Sequence, residues 1–207
     1  QQMLWDAERT PVTMIAYAPF MSEATPDASL TVNALTNQST EENVKSSDFL
    51  LMKATVDPEQ DLTADGELKI SLNHAMSKLI IKITVNGTTD ASMSKLGDMA
   101  INGAVVNATC DLSAAAPVVV PVADAVVATV APYKGTESCE RILPPQKIAE
   151  GFSVNFSYDG KLYIWTAKEP IELEKGVEHT LTLNVNTTVR LAAKIARNWA
   201  TGQLIDR

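Results

Sequence analysis

Residues 138–151 read Ser138-Cys139-Glu140-Arg141-Ile142-Leu143-Pro144-Pro145-Gln146-Lys147-Ile148-Ala149-Glu150-Gly151. An alternating strand, an Asp159-Gly160 turn and a second strand ending Leu162-Tyr163-Ile164-Trp165 follow. Alternation with period two is the mark of a strand with one buried face, because successive side chains point to opposite sides of a sheet. Asp-Gly suits a two-residue type I′ hairpin, whose central positions both need positive φ. That register puts Val154, Phe156, Tyr163 and Trp165 on one face and leaves Leu162 and Ile164 on the other, beside Asn155 and Ser157. A three-residue loop would instead align Phe156 with Ile164, and the turn chemistry favours the first register. The stretch therefore reads as a sheet meander with one side buried.

The same period recurs outward from it. Val12, Met14 and Ala16 alternate with Thr13, Ile15 and Tyr17 in a run that stops at Pro19. Leu68, Ile70 and Leu72 alternate with Lys69, Ser71 and Asn73, and Leu79, Ile81, Ile83 and Val85 with Lys78, Ile80, Lys82 and Thr84 in a run ending at Asn86-Gly87. Leu181, Leu183 and Val185 alternate with Thr182, Asn184 and Asn186. The best helical candidate is residues 191–199, with Leu191, Ile195 and Trp199 at intervals of four. Residues 19–48 read as a polar linker holding a short strand at 30–35. Residues 111–136, rich in Ala, Val and Pro, read as irregular extended structure. Strands at this density indicate an all-β sandwich. A boundary falls near Asn73-His74-Ala75-Met76. Residues 73–207 have enough strands for a complete sandwich with Leu79, Ile81, Ile83, Val154, Phe156, Leu181, Leu183 and Val185 in its core. Residues 1–72 have too few, and are expected to leave an unpaired edge and an apolar groove.

The composition is that of a globular protein: 207 residues, 45% hydrophobic and 20% charged. A net charge of −8 without a basic cluster argues against nucleic-acid binding. No apolar run reaches the 18 residues or so that a transmembrane helix needs. Gln1-Gln2-Met3-Leu4-Trp5 lacks the charged start and apolar core of a signal peptide, so the chain is expected to be a mature or trimmed product. Cys110 and Cys139 allow one disulfide, or serve as two small buried residues.

Residues that could carry chemistry do not assemble into a known pattern. His74 and His179 have no second His or Cys at metal spacing, and each reads as a polar residue near a strand end. Asp57, Glu59, Asp61, Asp65 and Glu67 have the acid density of a calcium loop. Counted from Asp57, however, the sixth position is Leu62 where an EF-hand needs Gly, so the stretch reads as a solvated turn. Nucleotide-binding and hydrolase motifs are missing from the sequence. No metal, nucleotide or organic cofactor is expected, and no catalytic activity. Trp5, Trp165 and Trp199, with four tyrosines, could form a sugar-binding row, but read better as core anchors.

Six pieces in order carry a resemblance. They are Trp5 with the strand at Ala16-Tyr17-Ala18-Pro19, Ser47-Asp48-Phe49-Leu50-Leu51, His74-Ala75-Met76-Ser77-Lys78, the Leu143-Pro144-Pro145-Gln146 turn, the strand led by Gly176, and the ending Lys194-Ile195-Ala196-Arg197-Asn198-Trp199. Together they resemble the fimbrillin-like (Mfa-like) surface proteins of Bacteroidales bacteria. The resemblance implies two transthyretin-like Greek-key β-sandwich domains, here 1–72 (incomplete) and 73–207. It implies a structural subunit or tip component of cell-surface fimbriae (pili) that supports cell adhesion. Such proteins travel through the periplasm as lipoprotein precursors, are trimmed by an arginine-specific protease and polymerise by donated-strand addition. By position, Val189, Leu191, Leu204 and Ile205 are the expected donor-strand residues. The expected partners are other fimbrial subunits and a host or bacterial surface ligand. Family members carry further residues and a lipid-attachment cysteine before the Trp5 region, and neither is present here. A cell-surface carbohydrate-binding module of a gut bacterium is the alternative reading.

Overall fold

A computed structural model describes residues 8–22, 25, 28–87, 89–186 and, for the backbone, 191–197. In chain order the strands are β1 (Val12–Ala18), β2 (Ser29–Thr31), β3 (Leu50–Val56), β4 (Asn73–His74), β5 (Ser77–Val85), β6 (Thr89–Asp90), β7 (Leu96–Ala104), β8 (Ala108–Asp111), β9 (Val119–Pro121), β10 (Ala128–Val130), β11 (Tyr133–Lys134), β12 (Cys139–Leu143), β13 (Gln146–Ile148), β14 (Ser153–Tyr158), β15 (Lys161–Thr166), β16 (Ile171–Leu173), β17 (Glu178–Val185) and β18 (Leu191–Arg197). The fold is all-β. Among the described residues, helix is limited to α1 (Glu41–Ser47) and one 3-10 turn at Met93–Lys95. Thr40 caps α1, its hydroxyl accepting the Asn43 N–H at 3.2 Å, with Glu41 and Glu42 in the first turn and Lys45 in the last.

Two large sheets carry the core. One has the order β10-β7-β14-β15; the other runs β11-β12-β5-β17-β18, with β6 paired to β5. Leu79, Ile81 and Ile83 of β5 and Leu181, Leu183 and Val185 of β17 meet Ile101 of β7 and Val154 and Phe156 of β14 in one buried cluster. All eight core residues expected from alternation are in it. β17 alternates half-buried and buried along its whole length, since one set of side chains faces the core and the other lies on the outer face.

Several expectations are corrected. The chain is not a simple meander: β5 and β17 are parallel neighbours from Lys78/Glu178 to Val85/Val185, which requires the intervening chain to cross over. Residues 191–197 form a strand, β18, antiparallel to β17 from Val185/Leu191 to His179/Arg197. An interval of four, as between Leu191 and Ile195, also satisfies period two. Residues 68–72 do not form a strand; Leu68 makes one bridge to Leu62, and Ile70 stays exposed because no longer neighbour lies alongside.

The Asp159-Gly160 hairpin has the expected register, with Val154 opposite Trp165, Phe156 opposite Tyr163 and Tyr158 opposite Lys161. Both turn residues have positive φ, 51° and 74°. Residues before and after position 73 share a sheet and the core. β2 pairs with β8 in the order β2-β8-β9, and the Val32 and Ala34 N–H groups continue the ladder onto the Ala108 and Val106 carbonyls. Another small sheet, β1-β3-β4, also leads into β5 through the Ala75 N–H to Phe49 carbonyl bond.

Candidate assembly surface

The stretch 138–146 is where the parts of the chain are joined. On β12, Cys139, Arg141 and Leu143 point inward, opposite Ile81, Leu79 and Ser77 of β5. Glu140, on the other face, meets the Lys78 ammonium at 3.0 Å, and Glu178 of β17 meets it at 3.6 Å. The lysine of the His74/Lys78 motif thus ties three adjacent strands. Its histidine binds the acid of the Asp48 motif, Nδ1 to Oδ2 at 2.7 Å. Two resemblance motifs that are distant in sequence are therefore partners across β3 and β4.

Two glutamines stand in for backbone. The buried Gln38 amide accepts the Ile142 N–H at 2.9 Å and donates to the Ile142 carbonyl at 3.0 Å. Gln146, after the Pro144-Pro145 turn, does the same to Val105 at 2.9 Å each way. Each satisfies main-chain groups where no strand continues the ladder. Arg141 is fully buried, and among the described residues no carboxylate pairs with it. Burial pulls its guanidinium down to about 9.

The cysteine expectation resolves against a bridge. Cys110 on β8 and Cys139 on β12 are both buried free thiols. They sit in different sheets, each flanked by its own ladder neighbours. Burial pushes Cys139 up to about 11, and Cys110 is also raised by burial. The acidic loop is closed on itself: Asp57 accepts the Glu59 N–H and the Gln60 side-chain amide, and Asp61 accepts the Asp57 N–H. The buried His179 Nε2 accepts the Glu174 N–H at 3.0 Å and so helps to shape the turn before β17.

The surfaces able to meet another chain are sheet edges. β15 ends the β10-β7-β14-β15 sheet, and its outward Leu162 and Ile164 are 87% and 69% exposed. β1 ends the β1-β3-β4 sheet. Its apolar residues are only half-covered at best: Ile15 and Tyr17 lean on the core while Val12 is exposed. β9 ends the β2-β8-β9 sheet, with Val118, Val120 and Val122 exposed. Among the described residues these edges are unpaired, and an uncharged apolar edge is a template for strand addition.

Among the described residues the aromatics of β15 do not form a sugar-binding row. Tyr163 stacks on Phe156 at 5.4 Å and Trp165 meets Phe152 edge-on at 6.2 Å, both on the core side of β15. Trp5 and Trp199 lie outside the described residues. So do Val189, Leu204 and Ile205 of the expected donor set, while Leu191 opens β18 and pairs with Val185. Composition and spacing gave no sign of the Gln38 and Arg141 contacts, because their partners are backbone atoms about a hundred residues away.

The described residues thus form an all-β fold tied by polar clamps, with open apolar sheet edges. The family is explicit: the chain matches the fimbrillin-like family over residues 1–199 and belongs to it. No curated protein matches the chain. Among solved structures it is similar to a candidate cell adhesion protein from Bacteroides uniformis (TM-score 0.67, 17% identity, 93% of this chain and 75% of that one). A second, from Bacteroides ovatus, gives TM-score 0.59, 15% identity and 94% and 69% coverage. The tip fimbrial protein Mfa3 from Porphyromonas gingivalis, with a C-terminal truncation, gives 0.50, 10% identity and 84% and 70% coverage. At these identities the likeness is one of fold. Membership places the chain among proteins of a cell-surface appendage that assemble with other fimbrial subunits. Among the described residues no helix is long and apolar enough to cross a membrane.

Proposed function

We propose that this chain is a structural subunit or tip component of bacterial surface fimbriae that supports adhesion and assembles by donated-strand addition. The observation that supports this most is β1. It is a seven-residue edge strand with apolar residues on it and no fully buried position. A strand laid beside it would bond the backbone groups that no described strand pairs, and would cover the half-exposed Met14, Ile15 and Tyr17. The sandwich is assigned to 73–207 and the incomplete unit to 1–72, both of the transthyretin-like Greek-key type. Val189, Leu191, Leu204 and Ile205 are the candidate donor residues, and Leu204 and Ile205 are the better pair because Leu191 is already engaged in β18. Export through the periplasm, attachment at the outer membrane and a host or bacterial surface ligand belong to the same reading.

Polymer formation in cells, read by electron microscopy, tests it. Deleting residues 201–207 is expected to abolish fimbriae built from this chain, and unchanged fimbriae rule out the distal segment as donor. Ile15→Lys, which puts a charge on β1, is expected to block polymers while leaving the β-sheet circular dichroism intact. Normal polymers from that variant rule out β1 as the acceptor.

A further inference from the structure

Residues 29–38 run as a strap from the first part of the chain across the second. Ser29–Thr31 pair with β8, the Val32 and Ala34 N–H groups bond to Ala108 and Val106, and Asn37 bridges Ala131. Leu30, Val32 and Ala34 are buried on its inner side. Its far end meets β12 through two side chains, Gln38 of the strap and Arg141 of β12. Gln38 is locked to both main-chain groups of Ile142. Arg141 donates to the carbonyls of Leu35, Thr36 (3.1 Å) and Ala131 (2.9 Å).

Each of those three carbonyls already accepts another bond. Leu35 accepts from the Gln38 side chain, Thr36 from the Ala131 N–H, and Ala131 from the Gln38 N–H. The guanidinium therefore occupies their second acceptor positions. A cradle of three oriented dipoles takes the place of a carboxylate around a cation that would otherwise be costly to bury. The planar fork reaches both sides of the Asn37–Ala131 bridge at once, which a lysine could not do.

We propose that Gln38 and Arg141 form an internal latch that docks the 29–38 strap onto the sandwich and keeps the edge of β8 closed. When the latch is open, the strap lifts as a local unit, baring β8 and the inner faces of Leu30, Val32 and Ala34, while the β5–β17 core stays folded.

Native-state hydrogen exchange tests this, because the amides of Val32, Ala34, Gln38 and Ala131 are bonded within the strap and its contacts. In Arg141→Met each carbonyl of the cradle keeps its other donor, so the variant removes the tie without orphaning an acceptor. Those four amides should exchange at least tenfold faster than in the parent, with Ile81 and Leu183 unchanged. Arg141→Lys should fall between. If Arg141→Met does not accumulate as folded protein, Gln38→Ala leaves the cation in place and is read on the Val32, Ala34 and Ala131 amides. Acceleration by one common factor across strap and core would show a global contribution and no latch. Unchanged strap amides in the folded variants would also overturn the proposal.

Discussion

β17 and β1 both read as half-buried strands in the sequence and end in opposite circumstances. β17 lies between β5 and β18, and every second residue is buried. Among the described residues β1 has β3 on one side only, and none of its residues is fully buried. Alternation specifies that a strand has two faces. How deeply one face is buried depends on how many neighbours the sheet supplies and on what covers it. The sandwich around β5 and β17 has both; the β1-β3-β4 sheet has few strands and partial cover. The first kind of sheet holds a fold together, and the second is suited to receiving another chain.

The largest expected effect measures that difference directly. Leu183→Ala removes a fully buried side chain and should cost roughly 2–5 kcal/mol, from lost burial and the cavity left behind. Ile15→Ala, in the half-covered sheet, should cost about 1 kcal/mol, because much of that side chain's transfer free energy is never gained. Urea denaturation of both variants gives the comparison. Equal losses would mean that β1 is as well packed as β17.

Glycines sharpen the same contrast. Gly103 on β7 has φ of 89°, and a Cβ there would lie 2.5 Å from the Gly151 carbonyl oxygen, a backbone atom that cannot swing aside. Gly66, in the loop before β4, has φ of 78° but nothing within 4 Å of its missing Cβ. Gly66→Ala should therefore cost only the left-handed backbone penalty, about 1–2 kcal/mol. Gly103→Ala should cost that plus the displacement of two packed chains, in total about 3 kcal/mol or more. Thermal or urea unfolding orders them, and the reverse order would refute the close approach of β7 to Gly151.

The cysteines report which part opens first. Burial holds both thiols protonated, and Cys139 at about 11 leaves roughly one thiolate in a thousand at pH 8. Native protein should therefore react with a thiol reagent only through opening, and both residues should react once it is unfolded. Cys110 pairs with Leu30 of the strap, and Cys139 with Ile81 of the central sheet. In mild urea Cys110 should be labelled before Cys139. The sign with pH is fixed: raising pH above 8 makes more of each opened thiol a thiolate and speeds labelling at both. Simultaneous labelling of the two would mean that strap and core open together.

The all-β class, the Asp159-Gly160 register and the core were legible in the sequence because each rests on local alternation or on a turn that demands positive φ. The parallel β5–β17 pairing was not, since parallel order is set by a crossover and leaves no local mark. Residues 191–197 were ambiguous for a stated reason: Leu191 and Ile195 fit period two and an interval of four alike. The Gln38 and Arg141 contacts run to main-chain carbonyls and amides, which every residue carries, so no residue type announces them. The edges were half visible. Leu162 and Ile164 fell on the outward face by alternation, but only the strand order places them at the end of a sheet.

The smallest expected effect lies in α1, the two-turn helix that the polar composition of residues 19–48 concealed. The Thr40 hydroxyl accepts the Asn43 N–H, and the Ser47 side chain, buried at the helix end, accepts the Leu35 N–H at 3.0 Å and donates to the Asn43 carbonyl. The helix is thus capped at one end and tied to the strap at the other. Thr40→Ala removes one exposed cap and should cost about 0.5–1 kcal/mol. Ser47→Ala orphans a partly buried N–H and should cost more, about 1–2 kcal/mol. Urea unfolding resolves the two. Should Thr40→Ala prove the more damaging, the helix would be held by its own capping rather than by its contact with the strap.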